Sequence, residues 1–275
     1  MKSIILTASA VIFTLSLLFS PAHDVPVSDF QGTAYYFSKS KMELGSWGAR
    51  MSEAQKKQVA ARLKNRLEKN FILNFNKEES LFTEKQKLDA MSGATDSWGA
   101  NFARGDQYKN IKEKTIVQAQ EFYGKKFLVK DELPSILWQT GSETKMIGNY
   151  MCLKATAIIP TSQLTWYDFS WGDLRKPEPV EGEEPVIETT EVEAWYTLQI
   201  PVGHGPAEYH GLPGLILEVS AGGTTMLCSK IVMNPEEKIE IDAPSKGKET
   251  TMMDYAATVK SKMMEMRNNR GRRRG

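Results

Sequence analysis

Three groups of side chains in this sequence could do chemistry: two loop histidines, two cysteines and a set of C-terminal methionines. His204 and His210 flank a glycine- and proline-rich loop that also carries Glu208, and His23 is the only other histidine. Two imidazoles and a carboxylate could hold a transition metal, though a complete site would need thiol or thioether donors as well. The plainer reading is two loop imidazoles in ordinary hydrogen bonds. Met252, Met253, Met263, Met264 and Met266 are soft donors of the kind that favour Cu(I). Yet Met252, Ala256, Val259, Met263 and Met266 recur at helical spacing, as the apolar stripe of an amphipathic helix. Adaptable methionines suit a packing or docking surface equally well.

Cys152 and Cys228 are the only cysteines. In an oxidising compartment they read as one disulfide, which the chain-entropy model values at on the order of 4 kcal/mol for so long a loop. The alternative is two small buried hydrophobes. Cys152 with His204 or His210 is the one nucleophile-and-base combination in the chain. Cys152 falls in mid-strand, however, away from the strand ends and helix starts where reactive thiolates are exposed. The chain carries no Gly-x-Ser-x-Gly elbow, Cys-x-x-Cys pair, phosphate loop or His-Glu-x-x-His helix. The expectation is a non-enzymatic protein without metal or cofactor.

The elements that must position these residues begin after a targeting signal. Lys2, the apolar Ile4 to Phe19 and the small residues of Ser20-Pro21-Ala22 predict export with cleavage after Ala22. That apolar run is short and diluted, and no later run is long enough to span a bilayer. In the mature chain, 23–245 suits a single domain with an insert at 160–191, followed by the methionine-striped helix and an arginine-rich tail over 246–275. A net charge of +1 implies no general attraction to nucleic acid. The tail, with Arg267, Arg270, Arg272, Arg273 and Arg274, reads as solvated or as a contact for lipid phosphates or an acidic partner.

Within the domain, Phe30 to Met42 alternates as a strand. Ser52-Glu53-Ala54-Gln55 is a capping-box pattern, and Val59, Leu63, Leu67 and Phe71 predict a helix over about 52–70. Short strands follow at 71–75 and 80–83, then a loop with Trp98 as packing anchor or stacking platform. A hairpin is expected over 115–130 with Tyr123-Gly124 at its turn. Met146 to Ile159 reads as one long strand, and Val192 to Ile200 is the cleanest alternation in the chain. The insert holds Trp166-Tyr167 and Phe169-Ser170-Trp171, then a Pro/Glu-rich stretch over 176–185 without core-forming content. Gly205, Pro206, Gly211, Pro213 and Gly214 shape a tight loop feeding a buried strand, Leu215 to Ser220. A return strand spans 225–233, and 238–242 is a candidate edge.

Ile147-Gly148-Asn149-Tyr150-Met151-Cys152-Leu153-Lys154-Ala155, Ala194-Trp195-Tyr196-Thr197, Ile200-Pro201, Gly205-Pro206 and Gly211-Leu212-Pro213-Gly214-Leu215-Ile216 resemble, in this order, the GLPGLI family of exported Gram-negative proteins. The resemblance runs from about Leu133 to Met233. It implies a mainly antiparallel sheet, similar to the curved half-barrel of periplasmic lipoprotein carriers, and it brings no catalytic residues. The long insert, the two histidines and the basic tail depart from the family's usual pattern.

The expected fold is therefore α+β: a curved, mainly antiparallel sheet with one long helix over a face and a C-terminal amphipathic helix. Large aromatics on predicted strands imply an apolar concavity, the default binding site. Trp138, Tyr150, Trp195, His204, His210, Leu212 and Pro213 are its expected ligand-binding residues, with the glycine-rich loop at the rim. The expected role is that of a periplasmic, secreted or outer-membrane-associated binding protein. Its partner would be an apolar ligand, an envelope protein or an outer-membrane receptor. Metal handling and cysteine chemistry are the alternatives.

Overall fold

The computed structural model describes residues 30–41, 50–85, 104–169 and 187–272. The stretch expected to act as a signal, His23, Trp98, the Pro/Glu-rich part of the insert and the last arginines lie outside them. In β1 (Gln31–Ser40), Gly32, Ala34, Tyr36 and Ser38 are buried and their neighbours are less so, the period of two that defines a half-buried strand. Its antiparallel partner β2 (Glu68–Asn76) sets Phe71, Leu73 and Phe75 opposite Tyr36, Ala34 and Gly32. The same inward row continues across β3 (Glu79–Glu84), β4 (Gln107–Asn110), β5 (Thr115–Phe122) and β6 (Lys125–Glu132).

The second half is built from β7 (Gln139–Ile147), β8 (Tyr150–Pro160), β9 (Thr189–Thr197), β10 (Leu215–Ala221) and β11 (Thr224–Met233), with β12 (Lys248–Thr250) last. Together they form one 12-stranded sheet in the order β12-β6-β5-β4-β3-β2-β1-β11-β10-β9-β8-β7. Every pairing is antiparallel except β12 beside β6, which is parallel. The class is thus mainly β. The sheet is open, with β12 and β7 as its edges.

It is also strongly curved. Ile116 on β5 and Ile159 on β8 line one small cleft, although eight strand steps separate those strands. At about 4.8 Å per step a flat sheet would hold them nearly 40 Å apart.

Helix α1 (Glu53–Leu67) begins with the expected capping box: Gln55 N–H donates to Ser52 Oγ at 3.3 Å, and Ser52 N–H to Gln55 Oε1 at 2.9 Å. It ends at Leu67 and runs straight into β2, so Phe71 belongs to the sheet rather than to the helix. No described side chain of α1 is buried. It therefore does not form the expected layer over a face, because five Lys and Arg residues leave it too polar to be drawn onto the core.

That covering falls instead to the β9–β10 loop and to α3 (Met252–Arg272). Ahead of both in sequence, α2 (Thr161–Thr165) is a single turn after β8. Tyr255, Val259 and Met263 of α3 pack with Phe122, Phe127, Val129 and Trp166 in a second core. The Trp166 and Tyr255 rings meet edge to face at 5.7 Å, as quadrupoles prefer. The methionine stripe is thus a packing face, with Met253 and Met264 turned outward.

Three further expectations need correction. Met146 to Ile159 is a hairpin, since Gly148 at φ 58° allows a tight turn between β7 and β8. Residues 238–242 form no strand, and the added edge is the parallel β12. Strand β4 was unforeseen, as Gln107-Tyr108-Lys109-Asn110 carries no apolar alternation.

Candidate functional site

The loop from Ile200 to Gly214 folds down onto the concave face. It is tied to itself by Gly211 N–H donating to Gly203 O at 2.8 Å, and to β10 by Ile216 N–H donating to His204 O at 3.0 Å. Ile200, Val202, His204, Ala207, Tyr209 and Leu212 are all buried, so the loop fills the hollow rather than rimming it. Gly211 takes φ 89°, the left-handed region open to glycine. Gly214 is needed for a different reason: a Cβ there would strike the Thr197 carbonyl. Tyr36 pins the exit, donating from its hydroxyl to Ile216 O at 2.6 Å.

From the opposite wall, β4 sends Lys109 into the loop. This lysine is fully buried, and its Nζ donates to the carbonyls of Gly205 at 2.9 Å, Ala207 at 2.5 Å and Tyr209 at 3.2 Å. Burial pulls its pKa down to about 7, with Glu208 opposing and Arg104 assisting. Beside it, Arg104 pairs with Glu208 and donates to Tyr167 Oη at 2.9 Å, its guanidinium 4.5 Å from the Tyr167 ring centre. Burial disfavours the Arg104 charge, but Glu208 and its tyrosine neighbours hold the pKa above its ordinary value. These contacts join β4, the loop and the start of the insert into one charged network.

Both histidines sit inside this assembly. His204 is fully buried against Phe75, with ring centres 6.4 Å apart. Neither of its nitrogens meets a protein partner in hydrogen-bonding geometry, although the Asn76 main chain approaches the ring. Burial first, and Lys109 second, lower its pKa to about 3. His210 Nδ1 lies 2.8 Å from Glu208 O, and burial lowers its pKa to about 4. Both rings are therefore neutral at pH 7. Among the described residues no three His, Cys, Asp or Glu side chains gather as a metal-ligand set.

The seven expected ligand-binding residues do not form one constellation. Trp138 donates from Nε1 to His210 O at 2.8 Å, and Leu212 lies under the same loop. Pro213 faces outward, and Tyr150 is half-buried at the β7–β8 turn. Trp195 is on the other side of the sheet: it pairs with Lys154 while Tyr196 pairs with Leu153, and successive residues point oppositely. Lys145 Nζ stands 4.2 Å and Lys154 Nζ 5.8 Å from its ring centre.

Cys152 and Cys228 are separate buried thiols, with β9 and β10 running between their strands. Each has its pKa raised to about 11, chiefly by burial. A thiol so placed is a poor nucleophile.

What remains open to a ligand is small or external. The cleft between Ile116, Ile136, Ile159, Leu164 and Met252 encloses about 20 Å³, roughly one water. At the β7 corner, by contrast, Met146 and Met151 face each other across the hairpin, 62% and 59% exposed. Leu198, 54% exposed, follows at the end of β9, where Gln199 accepts from Met151 N–H at 2.9 Å.

A family profile described as "Protein of unknown function (Porph_ging)" matches residues 138–218, the stretch from Trp138 through the loop into β10. No curated protein matches the chain. Among solved structures, PNGF-II in its C2 space group is similar over 82% of this chain at 14% identity, with a TM-score of 0.47. PNGF-II in its P21 space group gives 13% identity and a TM-score of 0.46 over the same share. In both, this chain spans 32% of the other's length.

Proposed function

We propose that the protein is a non-catalytic interaction protein of the bacterial cell envelope. In this reading it is exported, and it holds an apolar segment of a partner protein against the corner formed by Met146, Met151 and Leu198. The observation that carries the reading is the exposure of these three neighbouring side chains beside a bare sheet edge. A contiguous exposed apolar patch is costly unless it is covered by a partner. The outer edge of β7 offers unpaired main-chain groups over Thr144–Ile147, beyond the register shift between Thr140 and Thr144. An extended segment could add there as a strand.

The reading places the ligand at the β7 end of the sheet, beyond the part of the concave face that the loop's own side chains pack. Export is supported by Lys2, the apolar run and Ala22, and the GLPGLI resemblance supports an envelope setting. The likeness to a lipoprotein-carrier half-barrel enters only through the curvature of the sheet.

A photo-crosslinking residue placed at Met151 should yield a discrete adduct with one envelope protein. Ile158 is just as bare, at 71% exposure, but belongs to the opposite face, and the same residue placed there should yield none. Equal adducts from both positions, or none from Met151, would end the proposal.

A further inference from the structure

A second surface carries a different signal. Between α1 and the end of β1 lies a cleft of about 530 Å³, within the range of small-molecule sites. It is lined by Lys39, Lys41, Lys57, Lys64, Ser40, Ala60, Ala61, Leu67 and Glu68. Lys57 is three and four residues from Ala60 and Ala61, and these are four and three from Lys64, so all four share one face of α1. The two alanines form a floor that leaves room between helix and strand, while the lysines stand around it.

Among the described residues Glu68 is the only carboxylate in the lining, and it is shared at long range: 4.0 Å from Lys39 and 3.9 Å from Lys64. Lys41 and Lys57 have no acidic partner among the described residues. Among the described residues, four lysines and one glutamate thus line a space large enough for a ligand, in a protein whose overall charge is nearly balanced.

We infer that this cleft binds a phosphate-bearing anion, either a soluble phosphate ester or a phospholipid headgroup. The inference is independent of the apolar corner. Lysine ammonium groups suit phosphate as point charges that need no fixed fork geometry. The alanine floor would admit the attached organic body.

The test uses the full mature chain and two probes, inorganic pyrophosphate by calorimetry and flotation with vesicles containing phosphatidylglycerol. It is run at about 0.15 M salt, where exposed charges are screened beyond about 8 Å. Three variants separate the possibilities. Lys41→Glu with Lys57→Glu reverses the unpaired charges, and Ala61→Trp fills the floor without changing charge. Lys126→Glu changes the net charge far from the cleft.

Binding of either probe should weaken about tenfold or more, or about 1.4 kcal/mol, in the first two variants and less than about twofold in the third. Pyrophosphate binding without flotation would identify a soluble anion. Flotation with phosphatidylglycerol but not phosphatidylcholine, lost in the same variants, would identify a headgroup. The inference is overturned if neither probe binds the wild type, if Lys126→Glu weakens binding as much as the double variant, or if Ala61→Trp binds unchanged.

Discussion

Lys109 and Gly205, from strand β4 and the β9–β10 loop, are joined by a buried bond of 2.9 Å between the ammonium and a main-chain carbonyl. The same ammonium serves Ala207 and Tyr209, so one side chain satisfies three loop carbonyls that face away from water. Leaving a buried acceptor unpaired costs about 1–3 kcal/mol. Lys109→Met, close in length and unable to donate, should lower the unfolding free energy by about 3 kcal/mol or more, read by urea denaturation. A loss under about 1 kcal/mol would mean that the loop is held by apolar packing alone.

The same lysine sets a pH dependence. Its folded pKa of about 7 lies below the unfolded value of about 10.4, so the unfolded chain binds the extra proton between these limits. By linkage, Lys109 then adds stability as pH rises from about 7 toward 10, and its penalty is fully present below pH 7. The stability difference between wild type and Lys109→Met should therefore widen from pH 6.5 to pH 9. A constant or shrinking difference would show that the ammonium is retained in the folded state throughout.

Gly214 should tolerate no side chain. Its Cβ would meet the Thr197 carbonyl and lie 3.1 Å from Leu198 N, both rigid main-chain atoms where β9 leaves the sheet. Gly214→Ala should cost about 3 kcal/mol or more, and Gly214→Val should fail to fold at all. A Gly214→Ala protein melting within a degree or so of the parent would refute the close approach.

Much of this could be read in the residues, but not evenly. The alternation of β1, β5, β9 and β10 and the capping box of α1 are local signals, and local signals survive folding. The loop was recognisable by its glycines and prolines, yet its position was not. Only the curvature of the distant β2–β5 wall decides whether such a loop rims a hollow or fills it. Lys109 gave no warning, because a lysine in a polar tetrapeptide looks like a surface residue until three carbonyls are brought to it. Trp195 illustrates the opposite error: an aromatic on a clean strand was assigned to the concave face, but the lysine stems of β7 and β8 cover it from outside.

The thiols give a redox prediction. Cys152 and Cys228 are buried and unpaired, with pKa values near 11. Denatured, unreduced protein should show two titratable thiols, while the native protein should resist iodoacetamide at pH 8. The melting temperature should not move when reductant is added. A drop of several degrees on reduction would restore the disulfide, which a loop of this length would make worth about 4 kcal/mol.

The histidines give the acid-side counterpart. His204 and His210 have folded pKa values of about 3 and about 4, both below the unfolded value of about 6.5. As pH falls below 6.5 the unfolded chain takes up protons that the folded chain refuses, so stability is lost progressively down to about pH 3–4. His204 should dominate, since it is fully buried beside Phe75, with Lys109 disfavouring its charge and only the Asn76 main chain near the ring to favour it. His204→Leu removes the titrating group while keeping an apolar side chain against Phe75. It should therefore flatten the stability profile between pH 6.5 and pH 4, measured by thermal melts across that range. Parallel profiles for the two proteins would mean that His204 is protonated as readily in the folded chain as in the unfolded one, and would open the loop's interior to a counter-ion or solvent.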